Sequence, residues 1–191
     1  MTAQSTSIVN VGIGRVGSEV LDQLLSLPQY PEKFGILAIT SSIVFKLYDN
    51  GASIQKSNWR QIFKQAEDGQ KFDRDKLVAH LKSYASQNRG KVALFIDNTA
   101  SDEIANLYPE LLRNSVSVVT PNKKAYSSEL QLYKDIVSSA KEGGSKYYLE
   151  STVGAGLPII STLKDLVATG DTVRISEKCP EMTCNLMFPL R

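Results

Sequence analysis

The chain has 191 residues, of which 42% are hydrophobic and 22% charged, with a formal net charge of +2. This is the composition of a soluble globular protein, long enough for one sizeable domain or for one domain and part of another. Its balanced charge and lack of any long basic run argue against nucleic acid, and no stretch approaches the ~18 apolar residues of a membrane span.

The polar opening MTAQSTS lacks the basic start and longer apolar run of a secretory signal. Next, Ser7–Ile13 (SIVNVGI) reads as a buried strand, and Val16–Leu27 as a helix with Val16, Val20, Leu24 and Leu27 on one face. Strands are also expected at Phe34–Thr40, Lys91–Ile96, Val116–Val119 and Lys146–Leu149. Helical periodicity marks Trp59–Ala66, Asp73–Ser86, Asp102–Arg113 and Ser128–Lys141. Gly51–Asn58 is a polar connection. Short apolar strands alternating with helices predict an α/β fold, a Rossmann-type doubly wound parallel sheet covered on both faces. A further helix runs from about Pro158 to Gly170, with proline and glycine at the ends where each is favoured. Beyond Val173 the text RISEKCPEMTCNLMFPLR has no usable period. Its cysteines, Cys179 and Cys184, have neither zinc spacing nor the number that a disulfide framework needs. A soluble, cytoplasmic protein is expected, with residues 1–149 as one domain, 150–173 as the start of a second, α+β domain, and 174–191 as a divergent tail.

Gly12, Gly14 and Gly17 form a G-x-G-x-x-G pattern directly after a strand and at the opening of a helix. The first glycine allows a tight turn, the second lets a pyrophosphate approach the backbone, and the third lets strand and helix pack closely. The whole turn, with Ile13, Arg15 and Val16, is a candidate dinucleotide cradle at a helix N-terminus. The second strand ends in Thr40, Ser41 and Ser42, without the carboxylate that grips the ribose hydroxyl of NAD. That tilts the expectation toward NADP, with Arg15 or Lys46 near the 2′-phosphate and NAD as the alternative. Asp97-Asn98-Thr99 follows the third strand at the ligand-binding edge, and Ser101 suits the N-cap of the next helix. Thr120-Pro121-Asn122-Lys123-Lys124-Ala125 follows the fourth, where either lysine could act in binding or proton transfer. In Glu150–Leu157 one carboxylate and several exposed carbonyls suit a hard cation, although on spacing alone a chain reversal between domains is preferred. His80, a lone histidine in an amphipathic helix, is read as structural, and Trp59 as packing.

VGIGRVGSEVLDQL, DNTAS, TPNKKAYSS and ESTVGAGLPIISTLKDLVATGD together resemble homoserine dehydrogenase. The likeness runs from Ser7 to about Val173. It implies an oxidoreductase interconverting aspartate semialdehyde and homoserine with NADP(H), in threonine and methionine biosynthesis. It further implies pyrophosphate on Gly12–Gly17, nicotinamide beside Asn98 and Thr99, and Lys123 as the active-site lysine on the cofactor side. A sodium ion is implied at Glu150 with the carbonyls of Val153, Ala155 and Leu157. The family is homodimeric through a long second domain that also carries the substrate groups. Here the text after Val173 departs from that pattern, and neither Glu177 nor Glu181 inherits a role by motif. The expectation is therefore a dehydrogenase-type chain with most of its dimer interface absent, with an inactive NADP-binding fragment as the alternative. The helix beginning near Pro158 is expected to leave Leu157, Ile160, Leu163, Leu166 and Val167 without cover.

Overall fold

The computed structural model describes residues 6–41, 45–47, 54–65, 72–88 and 90–172. Ser42, the first three residues of the Gly51–Asn58 connection, Ala66 and everything from Val173 onward, including Glu177, Cys179, Glu181 and Cys184, lie outside them. In chain order the elements are β1 (Thr6–Val11), α1 (Arg15–Leu24), β2 (Phe34–Thr40), β3 (Phe45–Leu47), α2 (Trp59–Gln65), α3 (Arg74–Gln87) and β4 (Val92–Asp97). They continue with α4 (Asp102–Ala105), α5 (Tyr108–Arg113), β5 (Val116–Val119), α6 (Lys124–Ser127), α7 (Leu130–Gly143), β6 (Tyr147–Tyr148) and α8 (Ile159–Ala168). A single 3-10 turn, Glu150–Thr152, precedes α8.

The strands form one sheet in the order β3-β2-β1-β4-β5-β6. Five of them run parallel, while β3, not anticipated from the sequence, pairs antiparallel with β2 at the edge and places Lys46 opposite Ile39. β1, β2 and β4 are almost continuously buried, as strands covered on both faces must be. The order reverses at β1, which has β2 on one side and β4 on the other. Crevices for ligands open at such a point, beyond the carboxyl ends of the strands.

The central strands feed two cores, one on each face of the sheet. On one side Ile8, Ile36, Ile39 and Ile96 meet Leu21 of α1 and Trp59 and Phe63 of α2. On the other, Val9, Val11, Phe95 and Val118 meet Leu77 and Leu81 of α3, Leu111 of α5 and Ile136 of α7. Each fully buried side chain of this kind contributes about 1.5–3 kcal/mol relative to exposure. The Trp59 indole N–H also donates to Asp22 Oδ1 at 2.8 Å, and Arg60 binds the same carboxylate through both its terminal nitrogens. The Arg60 and Trp59 hydrogen bonds hold the Asp22 carboxyl below its ordinary range, so this clasp between α1 and α2 persists into mild acid.

Two readings of the helices are corrected. α1 turns Gly17 and Leu21 inward, with Val20 and Leu24 partly buried against the same core as expected, whereas Val16 and Leu27 are 53% and 43% exposed. The buried stripe is set by the glycine that lets α1 approach β1. The span Asp102–Arg113 is two helices, with Ser101 capping α4 as expected (Ile104 N–H to Oγ, 3.4 Å) and Pro109 in the first turn of α5. Proline supplies no N–H to continue the first helix into the second. Among the described residues no helix is long and apolar enough to cross a membrane.

Candidate dinucleotide and active-site edge

The turn between β1 and α1 is locked before any ligand arrives. Gly12 has φ +83°, a left-handed conformation, and its N–H donates to the Thr40 carbonyl at 2.8 Å. A Cβ on Gly12 would meet Thr99 Cγ2 at 2.9 Å, and one on Gly17 would lie 1.7 Å from the Gly12 carbonyl oxygen. Gly14 differs, because nothing lies within 4 Å of the position its Cβ would take. The middle glycine therefore faces open space, while the outer two are enclosed by protein. Ser18 ties the turn down from within α1, its hydroxyl donating to the Ile13 carbonyl at 3.0 Å. The first N–H groups of a helix have no acceptor inside it, and they carry the positive end of its dipole. Arg15 is exposed beside them. This is an anion cradle, and its residues fit the pyrophosphate of a dinucleotide.

Asn98 forms the neighbouring wall. Its backbone N–H donates to the Val11 carbonyl at 2.8 Å, and its side-chain amide donates to Asn10 Oδ1 at 2.9 Å. Asn10 is fully buried in β1, and its own Nδ2 has no partner among the described residues. Asn98 and Thr99 thus sit against Gly12 and Gly17, where a ligand on the glycine turn would pass over the end of β4.

The centre of this edge is Asp97, the fully buried last residue of β4, which the sequence placed at the ligand edge without giving it a role of its own. Its Oδ1 accepts the Thr99 N–H at 2.7 Å, and its Oδ2 accepts the Tyr108 hydroxyl at 2.5 Å and the Asn122 amide at 3.0 Å. Thr120 closes the ring, its hydroxyl donating to the Asp97 carbonyl at 2.9 Å while its oxygen accepts the Asn122 N–H at 2.8 Å. Burial, with Asp97 beside it, pushes the Tyr108 phenol far above its ordinary value, so it remains a donor at any working pH. One buried carboxylate thereby joins the loop after β4 to the loop after β5. In the sequence Tyr108 resembles any core aromatic of a helix, and only the phenol reaching Asp97 reveals the connection.

The two lysines of the second loop are distinguished. Lys124 pairs with Asp102 at 3.3 Å. Lys123, exposed at the N-cap of α6, has no ion-pair partner among the described residues. Asn122 Oδ1 accepts the Lys124 N–H at 3.1 Å, so the Asp97 network also sets the start of α6.

Glu150, Val153, Ala155 and Leu157 come together in the turn before α8, with Gly154 and Ala155 at φ +71° and +52°. The Glu150 carboxylate reaches the helix N-terminus, accepting the N–H of Ile160 at 2.9 Å and of Ser161 at 3.0 Å. It acts as a cap for α8, a role that spacing did not suggest. Glu150→Ala is expected to cost about 0.5–2 kcal/mol, the range for loss of a cap. Hydrogen exchange at Ile160 and Ser161 measures it, and unchanged protection there would remove the capping role. α8 itself rests on Ile160, packed with Leu149 and Val153, while Leu157, Leu166 and Val167 are 62%, 38% and 48% exposed. The expected uncovered face is thus narrower than the sequence suggested, because Ile160 is buried.

A parallel sheet reversing at β1, with a glycine turn opening onto a helix N-terminus there, defines a Rossmann-type dinucleotide-binding domain. The family model described as homoserine dehydrogenase, NAD-binding domain, matches residues 12–150. The chain belongs to the homoserine dehydrogenase family. A homoserine dehydrogenase of Emericella nidulans is 36% identical over 180 residues, which are 93% of this chain and 48% of the relative. A Candida auris protein of unknown function has a crystal structure 33% identical to this chain, with a TM-score of 0.73 over 89% of this chain and 46% of its own. A hyperthermophilic archaeal homoserine dehydrogenase in complex with NADPH shares the fold, with 21% identity and a TM-score of 0.60 over 84% of this chain and 48% of its own. The chain spans about half the length of the curated relatives it matches.

Proposed function

We propose that this chain is the cofactor-holding part of an NADP-dependent homoserine dehydrogenase. In this role it serves the interconversion of aspartate semialdehyde and homoserine. The observation that carries the reading is the glycine turn, enclosed at Gly12 and Gly17 and open at Gly14 beside the α1 N-terminus. The NADPH complex of the archaeal structural neighbour supports the choice of ligand.

Bound NADPH supplies the hydride for the aldehyde carbon. The chain's own residues hold and orient. The α1 N–H groups and the backbone at Gly14 bind the pyrophosphate, and Asn98 and Thr99 border the nicotinamide. Thr40 and Ser41 at the end of β2 put no carboxylate against a 2′-phosphate, and exposed Arg15 is available to it. Lys123, without an ion-pair partner among the described residues, brings an ammonium to the same edge, where it positions the reacting carbonyl. Residues 1–149 act as the cofactor domain, and the turn at 150–173 begins the substrate and dimerisation part. Sodium at Glu150 and the carbonyls of Val153, Ala155 and Leu157 would require the carboxylate to share lone pairs between the ion and α8.

A second reading, binding without turnover by these 191 residues alone, draws on the exposed apolar side chains of α8. One experiment separates the two. NADPH fluorescence is titrated with the chain, and aspartate semialdehyde is then added. Binding followed by loss of NADPH absorbance supports the enzyme, and binding without loss supports the second reading. No binding overturns the assignment of Gly12–Gly17.

A further inference from the structure

At the opposite edge of the sheet, below the amino ends of β1 and β2, lies a cleft of about 490 Å³. Its walls are Ser7, Phe34 and Leu37 from the strands and His80, Tyr84 and Asn88 from α3, with Lys91 at the rim. A volume of this size suits a small molecule. Nothing in the glycine turn or the Asp97 network reaches it.

Three features give the cleft a chemical preference. His80 lines the cleft, and its Nε2 is buried with no hydrogen-bond partner among the described residues, an arrangement that is costly until a partner is supplied. Ser7 and Tyr84 share one hydroxyl–hydroxyl bond of 2.5 Å, so whichever of them donates, the other keeps an unused O–H. Lys91 is exposed at the mouth, and its ammonium has no ion-pair partner among the described residues. No aspartate or glutamate is among the described residues that line it. Several donors and a cation converge where no carboxylate opposes them. Phe34 and Leu37 supply apolar wall on one side.

We infer that this cleft is a second ligand site, separate from the dinucleotide edge, that takes a small molecule bearing an anionic oxygen group, a carboxylate or a phosphate. A turn of the imidazole brings the buried Nε2 to the cleft as a donor, the spare hydroxyl donates beside it, and Lys91 neutralises the charge at the entrance. A neutral imidazole can donate from Nε2, so the site does not require a protonated histidine. His80, read from the sequence as structural, takes a binding role in this proposal. It also removes the energetic anomaly of a buried nitrogen without a partner.

His80 is the only histidine in the sequence, so its ring gives a single reporter signal in an untagged chain. The ring C–H resonances are followed by NMR while inorganic phosphate, and separately succinate, replaces chloride at constant ionic strength. A saturable shift is expected with at least one of the two anions, and the anion that saturates identifies phosphate or carboxylate as the preferred group. In Lys91→Gln, which changes only an exposed side chain, the midpoint is expected to rise about tenfold, equivalent to about 1.4 kcal/mol. Phosphate settling on the glycine turn would show no such dependence on Lys91. Shifts that stay linear with both anions, or a midpoint indifferent to Lys91→Gln, overturn the site. Neither result bears on NADPH binding, which is measured separately by its fluorescence.

Discussion

Gly17→Ala is expected to abolish NADPH binding and to lower stability by about 3 kcal/mol, the upper end of the usual cost of overpacking. The added methyl would lie 1.7 Å from the Gly12 carbonyl oxygen, which is backbone and cannot rotate aside. Either α1 lifts from β1 or the Gly12 turn opens, and both movements displace the N–H groups that hold the anion. For a chain of this size the loss corresponds to roughly 6–12 °C in Tm. Gly14→Ala provides the contrast, since its methyl meets nothing within 4 Å. That variant should melt normally while losing affinity, because the methyl occupies the surface the pyrophosphate must approach. Thermal unfolding and NADPH fluorescence on both variants check the pair. Equal melting temperatures for the two would show that close packing at Gly17 is not what shapes the turn.

Asp97→Asn is the second large effect, with an expected cost of about 2–3 kcal/mol and weakened cofactor binding. The substitution keeps the shape but puts an amide N–H₂ where the carboxylate had accepted hydrogen bonds. The Thr99 N–H, the Tyr108 hydroxyl and the Asn122 amide then compete for a single acceptor oxygen. A buried donor left over costs about 1–3 kcal/mol. Tyr108→Phe removes one of those donors, so in the double variant fewer groups are stranded. The two changes should therefore be non-additive by about 1 kcal/mol or more, within the range seen for contacting residues. A double-mutant cycle in urea measures this coupling, and strictly additive costs would mean that the two side chains do not act as one network.

The sequence displayed the sheet more clearly than the site. Phe34–Thr40 and Val116–Val119 were delimited to the residue, because buried parallel strands read as unbroken apolar runs between polar breaks. The glycine turn was legible for a related reason, since its spacing encodes backbone conformation and close approach directly. The face of α1 was read only in part, right at Val20 and Leu24 and wrong at Val16 and Leu27, because Gly17, the residue that sets it, carries no hydrophobic signal. β3 escaped because a three-residue edge strand is too short for any period to show. The Asp97 network escaped for a deeper reason. Its members come from β4, α5 and the loop after β5, and nothing in the local text of any one of them announces the others. Glu150 was singled out as a candidate cation ligand, yet its capping of α8 depends on how the intervening turn folds back, which spacing does not specify.

The position of β1 between β2 and β4 has a consequence for the time course of folding. Thr6 is hydrogen-bonded in register beside Val92, so the first strand of the chain cannot be flanked on both sides until β4 has been synthesised. During translation, β1 and β2 can pair early, but one apolar edge of the growing sheet stays open across the whole span of α2 and α3. Contacts between residues so distant in sequence are slow to form, and an uncovered strand edge is the feature by which nascent chains misassociate. Until β4 arrives, the free edge of β1 is the part of the growing sheet most exposed to such association.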